Sequence, residues 1–560
     1  MTAAAPAIAP AKARILQALP DKASEKWAVA GLFAVIALQF TQVFRRSINW
    51  DEFWHYSQIH QLHAGVLAKP LQTLHTRLYS WVTDLPGTGV DHIVVIRLFM
   101  FGCEMIAVAG IIGLASRFAG RTAAILAALA YLSFPYVFQH GYSFRFDPPA
   151  AALMTSTLWL LSRSSLRWPA IVLGGAMIGT AAMVTIKIVL LAPAFAGVVW
   201  LRWNEQGRSF AYVARLAAMG AVALAVFAAI FALHSQGLAG DNADQARAII
   251  GGSGSLMFRW EVKPYWMFAI AGAIMAPLVT VLIALFPRRA MRGAFARDEK
   301  VALVGLFLPL TTLIFYHNTA PYYYVFMLPT VLAASAISMP WLTEKFAVAG
   351  TAALLALFAL VSWGIEEESP ITKQRMLLEV ADRAFPPGTH YFDFMGFLGS
   401  QPKSNPFMTT AVIKGYLEQG RPLHLEAMAN HPVPLLIDND VMFQRLLHTR
   451  EPIEGMLLEE AAALRDTYIP FWGPYWLAGE EFAAGAAPRE FIVRVPGTYT
   501  VYDAPITLDG SRLEPGDTVA LERGSYTAST ATGAHARLIW GSRIAVPAET
   551  PPDLPHFQNF

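Results

Sequence analysis

Charged residues and cysteines are scarce in this sequence. Asp, Glu, Lys and Arg make up 15% of its 560 residues, whereas a soluble protein carries about a quarter. Cys103 is the single cysteine, so the chain cannot form an internal disulfide. The net charge of +2 comes without a block of basic residues, and nothing therefore indicates a nucleic-acid partner. These shortages exclude an ordinary soluble enzyme, a disulfide-stabilised domain and a nucleic-acid-binding protein.

The sequence is instead rich in apolar residues. Hydrophobic residues account for 55% of the chain, and the mean hydropathy is +0.42. Repeated apolar runs of roughly 17 to 22 residues match the helix length that crosses about 30 Å of hydrocarbon. The predicted fold class is a polytopic α-helical membrane domain followed by an extracytoplasmic region of mixed α/β and β-sandwich character. Eleven spans are predicted, at 27–44, 93–115, 121–140, 148–162, 168–186, 188–201, 212–233, 264–286, 301–316, 322–339 and 346–364.

The distribution of lysine and arginine predicts the orientation, because cytoplasmic loops are enriched in both. Residues 1–26 lack the compact apolar core of a signal peptide and are predicted to be a cytoplasmic tail. With that tail inside, the densest cationic cluster is cytoplasmic as well: Arg288, Arg289, Arg292, Arg297 and Lys300. An odd number of spans then places residues 365–560 outside.

Three predicted regions follow from this pattern: the tail, a transmembrane domain at 27–364 and an outer soluble domain at 365–560. A long outer loop at 45–92 contains amphipathic helical stretches. The glycine-rich segment 234–263 is predicted to be a mobile loop over an outer opening.

The outer soluble domain is predicted to have two parts. Residues 370–480 are mixed α/β, with strand-like pieces THYFDF and PVPLLIDN between helical stretches. Residues 490–545 alternate with period two between turns, which is typical of a small β-sandwich.

Two adjacent carboxylates, Asp51 and Glu52, follow the first span in the stretch WDEFWHY. Adjacent helical residues point about 100° apart, so only one of them can face a given ligand. His55 shares the helical face of Asp51, and Tyr56 shares that of Glu52. A carboxylate beside a histidine at a low-dielectric edge can act as a general base. The alternative is an N-terminal helix cap beside an interfacial aromatic belt.

Further charges lie at the outer ends of later spans. In SFRFDPPAAAL, Asp147 either caps the fourth span or forms a second charged site with Arg145. Lys187 is surrounded by apolar residues in AAMVTIKIVLLAPA. It either extends to the outer headgroups or binds an anionic phosphate, a task that Arg45 and Arg46 could share.

Several polar residues remain as candidates for substrate contacts. The turn FYHNTAPYYYVFMLP holds His317, Tyr322 and Tyr323, either as interfacial tyrosines or as groups that stack on a sugar or bind a lipid phosphate. The long first loop adds His75 and Arg77.

A divalent cation is left open by the sequence. His60 and His63 have a spacing that suits a metal, but a site needs a third ligand, and none is identifiable.

Taken in order, these motifs resemble the GT-C superfamily of integral membrane glycosyltransferases. The bacterial aminoarabinose-to-lipid A transferases and the protein O-mannosyltransferases are nearest in organisation. The shared features are an outer Asp-Glu pair directly after the first span, Arg97 at the second span, the acidic FRFD site, Lys187 at a membrane edge, a tyrosine-rich turn before a proline-containing span, and an outer soluble domain. The resemblance covers about residues 27–364.

The resemblance implies that a sugar is transferred from a polyprenyl-phosphate-linked donor to an acceptor hydroxyl at the outer face of the membrane. Asp51 would deprotonate the acceptor with support from Glu52, and Asp147 would be the second acidic residue. The transfer would invert the anomeric centre, since no separate carboxylate nucleophile is evident. The lipid phosphate would be held by Lys187, Arg45, Arg46 and Arg145. Substrate contacts would come from His55, Tyr56, His75, Arg77, His317, Tyr322 and Tyr323.

The resemblance also implies a bacterial inner-membrane location, with the soluble domain in the periplasm and membrane lipids as partners. The acceptor, whether lipid, glycan or protein, is left open. The His-Pro-Pro stretch of the family's first loop is missing, and LHTRLYSW is only a loose counterpart. The β-rich C-terminus also differs from the repeat-type domain of the protein mannosyltransferases.

Two other classes stay open. A lipid or polysaccharide transporter or flippase would place ionisable residues or broken helices near the middle of the membrane. A non-catalytic subunit of an envelope assembly machine would not need Asp51.

Overall fold

The computed structural model divides the chain into two compact units. It describes residues 22–240, 242–257, 265–366, 369–484, 487–530 and 535–557. The first unit, called the helical unit below, comprises the chain up to Arg46 together with Gln61–Val82 and Val94–Glu367. The second, called the C-terminal unit, comprises Ser47–His60, Thr83–Ile93 and Glu368–Phe560. The division therefore differs from the predicted one, because two pieces of the first outer loop belong with the C-terminal region.

Helices account for nearly all regular structure before residue 366. They are α1 (Lys22–Arg45), α2 (Trp50–His63), α3 (Gly89–Ala115), α4 (Arg121–Leu132), α5 (Pro135–His140), α6 (Asp147–Arg163), α7 (Trp168–Val184), α8 (Ala192–Glu205), α9 (Phe210–Ser235), α10 (Asn242–Met257), α11 (Trp266–Met275), α12 (Pro277–Arg292), α13 (Arg297–Phe307), α14 (Tyr323–Ser335) and α15 (Met339–Gly364). Short helical turns lie at His75–Leu78, Ser80–Asp84, Ile186–Leu191, Leu308–Thr311, Thr312–Phe315 and Ala336–Ser338.

Several of these helices have the length and composition of membrane spans. Within the residues that the structure describes, five stretches qualify by themselves: Ser24–Arg45, Gly89–Ala115, Ile186–Glu205, Phe210–Ser235 and Tyr323–Gly364. The pair α11 and α12 forms a sixth candidate, bent by 103°. Each of the eleven predicted spans overlaps at least one helix. The predicted polytopic helical class is confirmed, and the count of eleven spans stays a prediction.

The glycine-rich segment after α9 was predicted to be a loop, and this prediction is wrong for residues 242–257, which form helix α10. Ala246 and Ile249 of α10 pack in an apolar cluster with Leu71 and Leu74. This burial offsets the cost of about 1 kcal/mol that each glycine inside a helix carries. Residues 258–264 lie outside the described residues.

The C-terminal unit combines helices with two β-sheets. Its further helices are α16 (Ser369–Ala384), α17 (Thr410–Gln419), α18 (Leu423–Asn430), α19 (Val441–His448) and α20 (Leu458–Thr467). Its strands are β1 (Tyr391–Phe392), β2 (Leu435–Ile437), β3 (Tyr468–Trp472), β4 (Tyr475–Phe482), β5 (Arg489–Val493), β6 (Gly497–Tyr502), β7 (Ile506–Leu508), β8 (Ser511–Leu513), β9 (Thr518–Leu521), β10 (Gly524–Thr530) and β11 (Ala536–Trp540).

The two sheets share one apolar core. The larger sheet has the order β1-β2-β4-β11-β6-β9, with β3 beside β4, and the smaller one has the order β5-β10-β7-β8. Phe482 and Val501 of the larger sheet pack with Phe491 and Ile506 of the smaller one, as predicted for a sandwich. Strand β4, from the region predicted to be mixed α/β, pairs with β11 and places Phe482 opposite Ala536.

Candidate active site

A carboxylate and two cations meet at the start of α6 in the helical unit. Asp147 is the first residue of this helix and is 1% exposed. Its Oδ1 lies 3.0 Å from Lys187 Nζ, and its Oδ2 lies 3.7 Å from Arg145 Nε. Phe146 holds the N-cap position without a side-chain capping bond. Of the two interpretations of Asp147, the charged pair with Arg145 is therefore present and the helix cap is not.

Lys187 reaches Asp147 from a break between α7 and α8. Helix α7 ends at Val184, and Thr185 follows in an extended conformation with φ −159° and ψ 139°. The Thr185 hydroxyl accepts a hydrogen bond from the Lys187 backbone N–H at 3.3 Å and so starts the short turn that carries the lysine. Lys187 is buried. Its ammonium pairs with the Asp147 carboxylate. The side chain is therefore turned toward this carboxylate, whereas the headgroup interpretation requires it to extend outward.

Tyr322 places its aromatic ring beside both cations. The Arg145 Cζ lies 3.3 Å and the Lys187 Nζ 5.4 Å from the ring centroid, within the range of a cation–π interaction. Tyr323, predicted beside it, has a different environment: it is fully buried, and its hydroxyl donates to Thr312 Oγ1 at 2.7 Å.

Arg145, Asp147 and Lys187 form what we call the charged trio, in which two cations lie beside one carboxylate. Buried cations are favourable only where anionic groups lie close to them. Lysine as a point charge and arginine as a planar fork are both suited to phosphate. The trio therefore has the charge and chemistry of a phosphate site.

Arg45 and Arg46, predicted to share the phosphate, have partners near the end of α15. Arg46 Nη1 lies 3.1 Å from Glu366 Oε2. The Arg45 Cζ lies 4.1 Å from the ring centroid of Trp363.

Glu104 in α3 is a candidate that sequence reasoning missed. It is fully buried, and its Oε1 accepts a hydrogen bond from Gln39 Nε2 at 3.0 Å. The same Gln39 nitrogen donates to the carbonyls of Val137 and Phe138 in α5. A Cβ at Gly141 would lie 1.7 Å from Glu104 Oε1. Glu104 and Gln39 thus fix the start of the segment that leads to Asp147. The sequence signal that could have identified Glu104 is the presence of an acidic residue within a predicted span.

Asp51 and Glu52 lie in the first turn of α2, in the C-terminal unit. The Asn49 side chain accepts from the Asp51 backbone N–H at 3.0 Å, and Glu52 Oε1 accepts from the Asn49 N–H at 3.1 Å. This reciprocal arrangement is a capping box. Glu52 is fully buried and Asp51 is partly exposed. Glu52 completes the helix cap, whereas only the main chain of Asp51 takes part in it.

His55 and Tyr56 lie on the two faces predicted for them. His55 Nδ1 is 3.5 Å from Gln58 Oε1. The Tyr56 hydroxyl is 2.6 Å from His92 Nδ1, and burial raises the pKa of Tyr56. Tyr56 is therefore a neutral hydrogen-bonding group. His317 lies in the turn before α14 and is partly exposed.

His75 and Arg77 lie in the helical unit. The His75 ring is 5.4 Å from the rings of both Phe144 and Phe146, centroid to centroid. Arg77 Nη2 donates to the carbonyl of His234 at 2.9 Å. Arg77 thus satisfies a carbonyl at the C-terminal end of α9, where cations are favoured.

The fold is similar to that of a solved oligosaccharyltransferase. A crystal structure of the Archaeoglobus fulgidus oligosaccharyltransferase, in complex with zinc and sulfate, matches with a TM-score of 0.54 at 11% identity, over 90% of this chain and 94% of that one. The chain has the fold of that oligosaccharyltransferase, and the predicted resemblance to the GT-C superfamily of membrane glycosyltransferases is confirmed.

Two further similarities cover only part of this chain. The sequence profile of the dolichyl-phosphate-mannose-protein mannosyltransferases matches residues 76–232, which include the charged trio but not Asp51. A crystal structure of ArnT from Cupriavidus metallidurans bound to undecaprenyl phosphate matches with a TM-score of 0.49 at 15% identity, over 67% of this chain and 84% of that one. A search of curated proteins gave no match. Among the described residues, no group of three or more His, Cys, Asp or Glu could hold a metal ion.

Proposed function

We propose that this protein is a membrane glycosyltransferase, which transfers a sugar from a polyprenyl-phosphate-linked donor to an acceptor hydroxyl. The observation that carries the proposal is the charged trio, a buried phosphate-type site in a chain with a glycosyltransferase fold. The profile match over residues 76–232 supports it, because the matched family is named for a lipid-phosphate-linked sugar.

The donor phosphate binds to Lys187 and Arg145. Before the donor arrives, Asp147 balances part of their charge. As the glycosidic bond breaks, the phosphate gains negative charge, and the two cations stabilise it in the transition state. Tyr322 keeps both cations in place through its ring.

The acceptor hydroxyl is activated by Asp51. Its oxygen attacks the anomeric carbon while the bond from that carbon to the phosphate oxygen breaks. The proton passes to the Asp51 carboxylate, and the electron pair leaves with the polyprenyl phosphate. One displacement inverts the anomeric centre. Glu52 supports Asp51 indirectly, because its carboxylate fixes the start of α2.

The reaction takes place at the outer face of the bacterial inner membrane. Lys and Arg are concentrated in the loops opposite to that face, with the densest cluster at 288–300, which supports a cytoplasmic N-terminus and a periplasmic C-terminal unit. Membrane lipids surround the helical unit, and the acceptor is a lipid, a glycan or a protein.

The test compares wild type with Asp51→Asn on a panel of undecaprenyl-phosphate-linked sugars and candidate acceptors. We expect kcat to fall by about 10²- to 10⁴-fold, as for loss of a general base. Asp84→Asn is the matched control, because Asp84 is an exposed carboxylate of the same outer loop. Wild-type turnover by Asp51→Asn would disprove the role of Asp51. An absence of turnover by wild type with every donor would count against the function itself.

A lipid transporter is the second candidate, because two observations favour it. Glu104 is buried in a membrane helix, and the α11–α12 pair is sharply bent. Both features are common in transporters. Reconstitution in vesicles with a fluorescent polyprenyl phosphate distinguishes the candidates: a transporter moves the lipid between leaflets without consuming a sugar donor.

A further inference from the structure

We infer that the C-terminal unit positions the base, with Gln374 as the positioning residue that fixes the start of α2. The inference rests on the proposed role of Asp51. The residues from Ser47 to His60, which include most of α2 and all of its first turns, group with the C-terminal region and not with the spans that flank them in sequence.

Gln374 holds the chain one residue before the helix cap. Its Oε1 accepts from the Ile48 backbone N–H at 2.8 Å, and its Nε2 donates to the Ile48 carbonyl at 3.0 Å. Gln374 is fully buried in α16. Because Asn49 caps α2 directly after this clamp, Gln374 determines where the helix that carries Asp51 begins.

Aromatic contacts hold the first turns of α2 on the loop after β1. The ring of Trp50 lies 5.1 Å from that of Phe394, and the ring of Phe53 lies 4.9 Å from that of Phe397. Asp51 lies between these two anchored residues in sequence. Its direction is therefore set by side chains on either side of it.

The same loop is made rigid by Asp393. This buried carboxylate accepts from the backbone N–H groups of Gly396 and Phe397 at 2.9 and 2.7 Å. It also pairs with buried Lys403 at 2.8 Å and accepts from Asn439 at 2.9 Å. Burial lowers the pKa of Lys403. Such a satisfied buried network fixes one conformation of the loop.

Gly396 allows the loop to approach α2. Its φ is +106°, a backbone conformation that favours glycine. A Cβ there would lie 3.0 Å from Ser57 Oγ. The Gly396 backbone therefore lies close to Ser57 of α2, where a larger residue would be crowded.

The test uses the full-length protein and Gln374→Met, which keeps the side-chain volume and removes both hydrogen bonds. Gln401→Met is the matched control: Gln401 also bridges backbone groups of the C-terminal unit, accepting from Thr389 and donating to Pro386, but does not bond to α2. The readouts are release of undecaprenyl phosphate from the donor panel and hydrogen–deuterium exchange of residues 47–60.

We expect Gln374→Met to lower kcat by about 10- to 100-fold with the donor KM unchanged, the scale of a misplaced catalytic group. Exchange in residues 47–60 should be faster, and Gln401→Met should change neither quantity. Equal kcat for Gln374→Met and wild type, or equal losses in both variants, would overturn the inference.

Gln374→Asn provides a second variant if Gln374→Met does not fold, since it keeps an amide in the buried site but withdraws it from Ile48, and it should lower kcat in the same direction. The two proposals fail separately. Wild-type activity in Asp51→Asn removes the base assignment, whereas unchanged exchange in Gln374→Met removes the positioning role.

Discussion

At the scale of single residues, the most informative feature is a carboxylate shared by two cations. Asp147 and Lys187 form a buried pair, and removing one partner of such a pair leaves an uncompensated charge, at a cost of about 3–5 kcal/mol. Stability and ligand binding can therefore be separated by comparing single and double substitutions.

Lys187→Met is expected to lower the unfolding midpoint and to raise the donor KM by at least about tenfold, because one phosphate-binding charge is lost. Adding Asp147→Asn should restore much of the midpoint but not the donor affinity. Thermal unfolding and donor titration measure the two effects. Lys345→Met is the control, since Lys345 is an exposed lysine over the Trp341 ring. Recovery of donor affinity in the double variant would contradict phosphate binding by Lys187.

Gly141→Ala is expected to impair donor binding without touching the donor. A Cβ at this position would overlap the Glu104 carboxylate, so either Glu104 or the segment leading to Asp147 must move. Gly102→Ala in α3 is the control, because a Cβ there meets nothing within 4 Å. Donor affinity and unfolding midpoints are compared. Wild-type affinity in Gly141→Ala would mean that Glu104 does not position this segment.

Sequence reasoning identified the members of the charged trio and the pairing of Arg145 with Asp147, but not the contact of Lys187 with Asp147. Arg145 and Asp147 are neighbours in the sequence, so their ion pair could be predicted. Lys187 lies 40 positions from Asp147, and its contact depends on the break at Thr185, which a hydropathy pattern does not reveal. Glu104 was missed because its partners, Gln39 and the backbone near Gly141, come from other helices.

At the scale of elements, Arg77 illustrates a predicted substrate contact that has a structural partner. Its guanidinium donates to carbonyl groups at the end of α9. A helix end of this kind gains stability from a nearby cation.

Arg77→Met is expected to destabilise the protein by about 1.5–3 kcal/mol, the range for hydrogen bonds to a charged group. The donor KM should stay unchanged once the enzyme is assayed below its unfolding transition. Chemical or thermal unfolding measures the first quantity and donor titration the second. A large rise in KM with unchanged stability would support the substrate contact that the sequence pattern suggests.

Elements whose sequences have a clear hydrophobic period could be predicted, whereas elements that depend on tertiary contacts could not. The alternation in REFIVRVPGTYTVY predicted strands that correspond to β5 and β6. The glycines of α10 favoured a loop, but packing of Ala246 and Ile249 outweighs their low helix propensity. The capping box that makes Glu52 structural was not identified, although Asn49 and Glu52 have the spacing of that motif.

At the scale of the whole molecule, the C-terminal unit contains a pair of stacked histidines, of which His390 is partly buried and His431 is exposed. The rings of His390 and His431 lie 4.9 Å apart at 11°. Burial and the charge of His431 lower the pKa of His390. Because its folded-state pKa is below the ordinary value of about 6.5, the unfolded chain takes up the proton first. Stability from this group is thus present above about pH 6.5 and lost as the pH falls.

The His390→Gln variant is therefore expected to lose less stability than wild type between about pH 7.5 and pH 5.5. Unfolding midpoints at several pH values measure the difference. His535→Gln, at an exposed histidine of the same unit, serves as the control and should follow wild type. Parallel curves for wild type and His390→Gln would contradict this account of the pH dependence.

The sequence did not predict the division into two units, but it did predict the overall class of protein. Composition and apolar runs predicted a membrane protein with a soluble C-terminal region. The assignment of Ser47–His60 and Thr83–Ile93 to that region depends on contacts such as Gln374 with Ile48 and Arg375 with Asp91. These contacts join residues about 300 positions apart.

The clamp between Gln374 and Ile48 also constrains how such chains can be recombined. A chimera that takes its C-terminal region from another transferase and keeps this first outer loop would join a helix to a partner surface that did not evolve with it. Grafting of the C-terminal unit should therefore give a folded chain only when residues 47–60 and 83–93 are moved together with everything after 368.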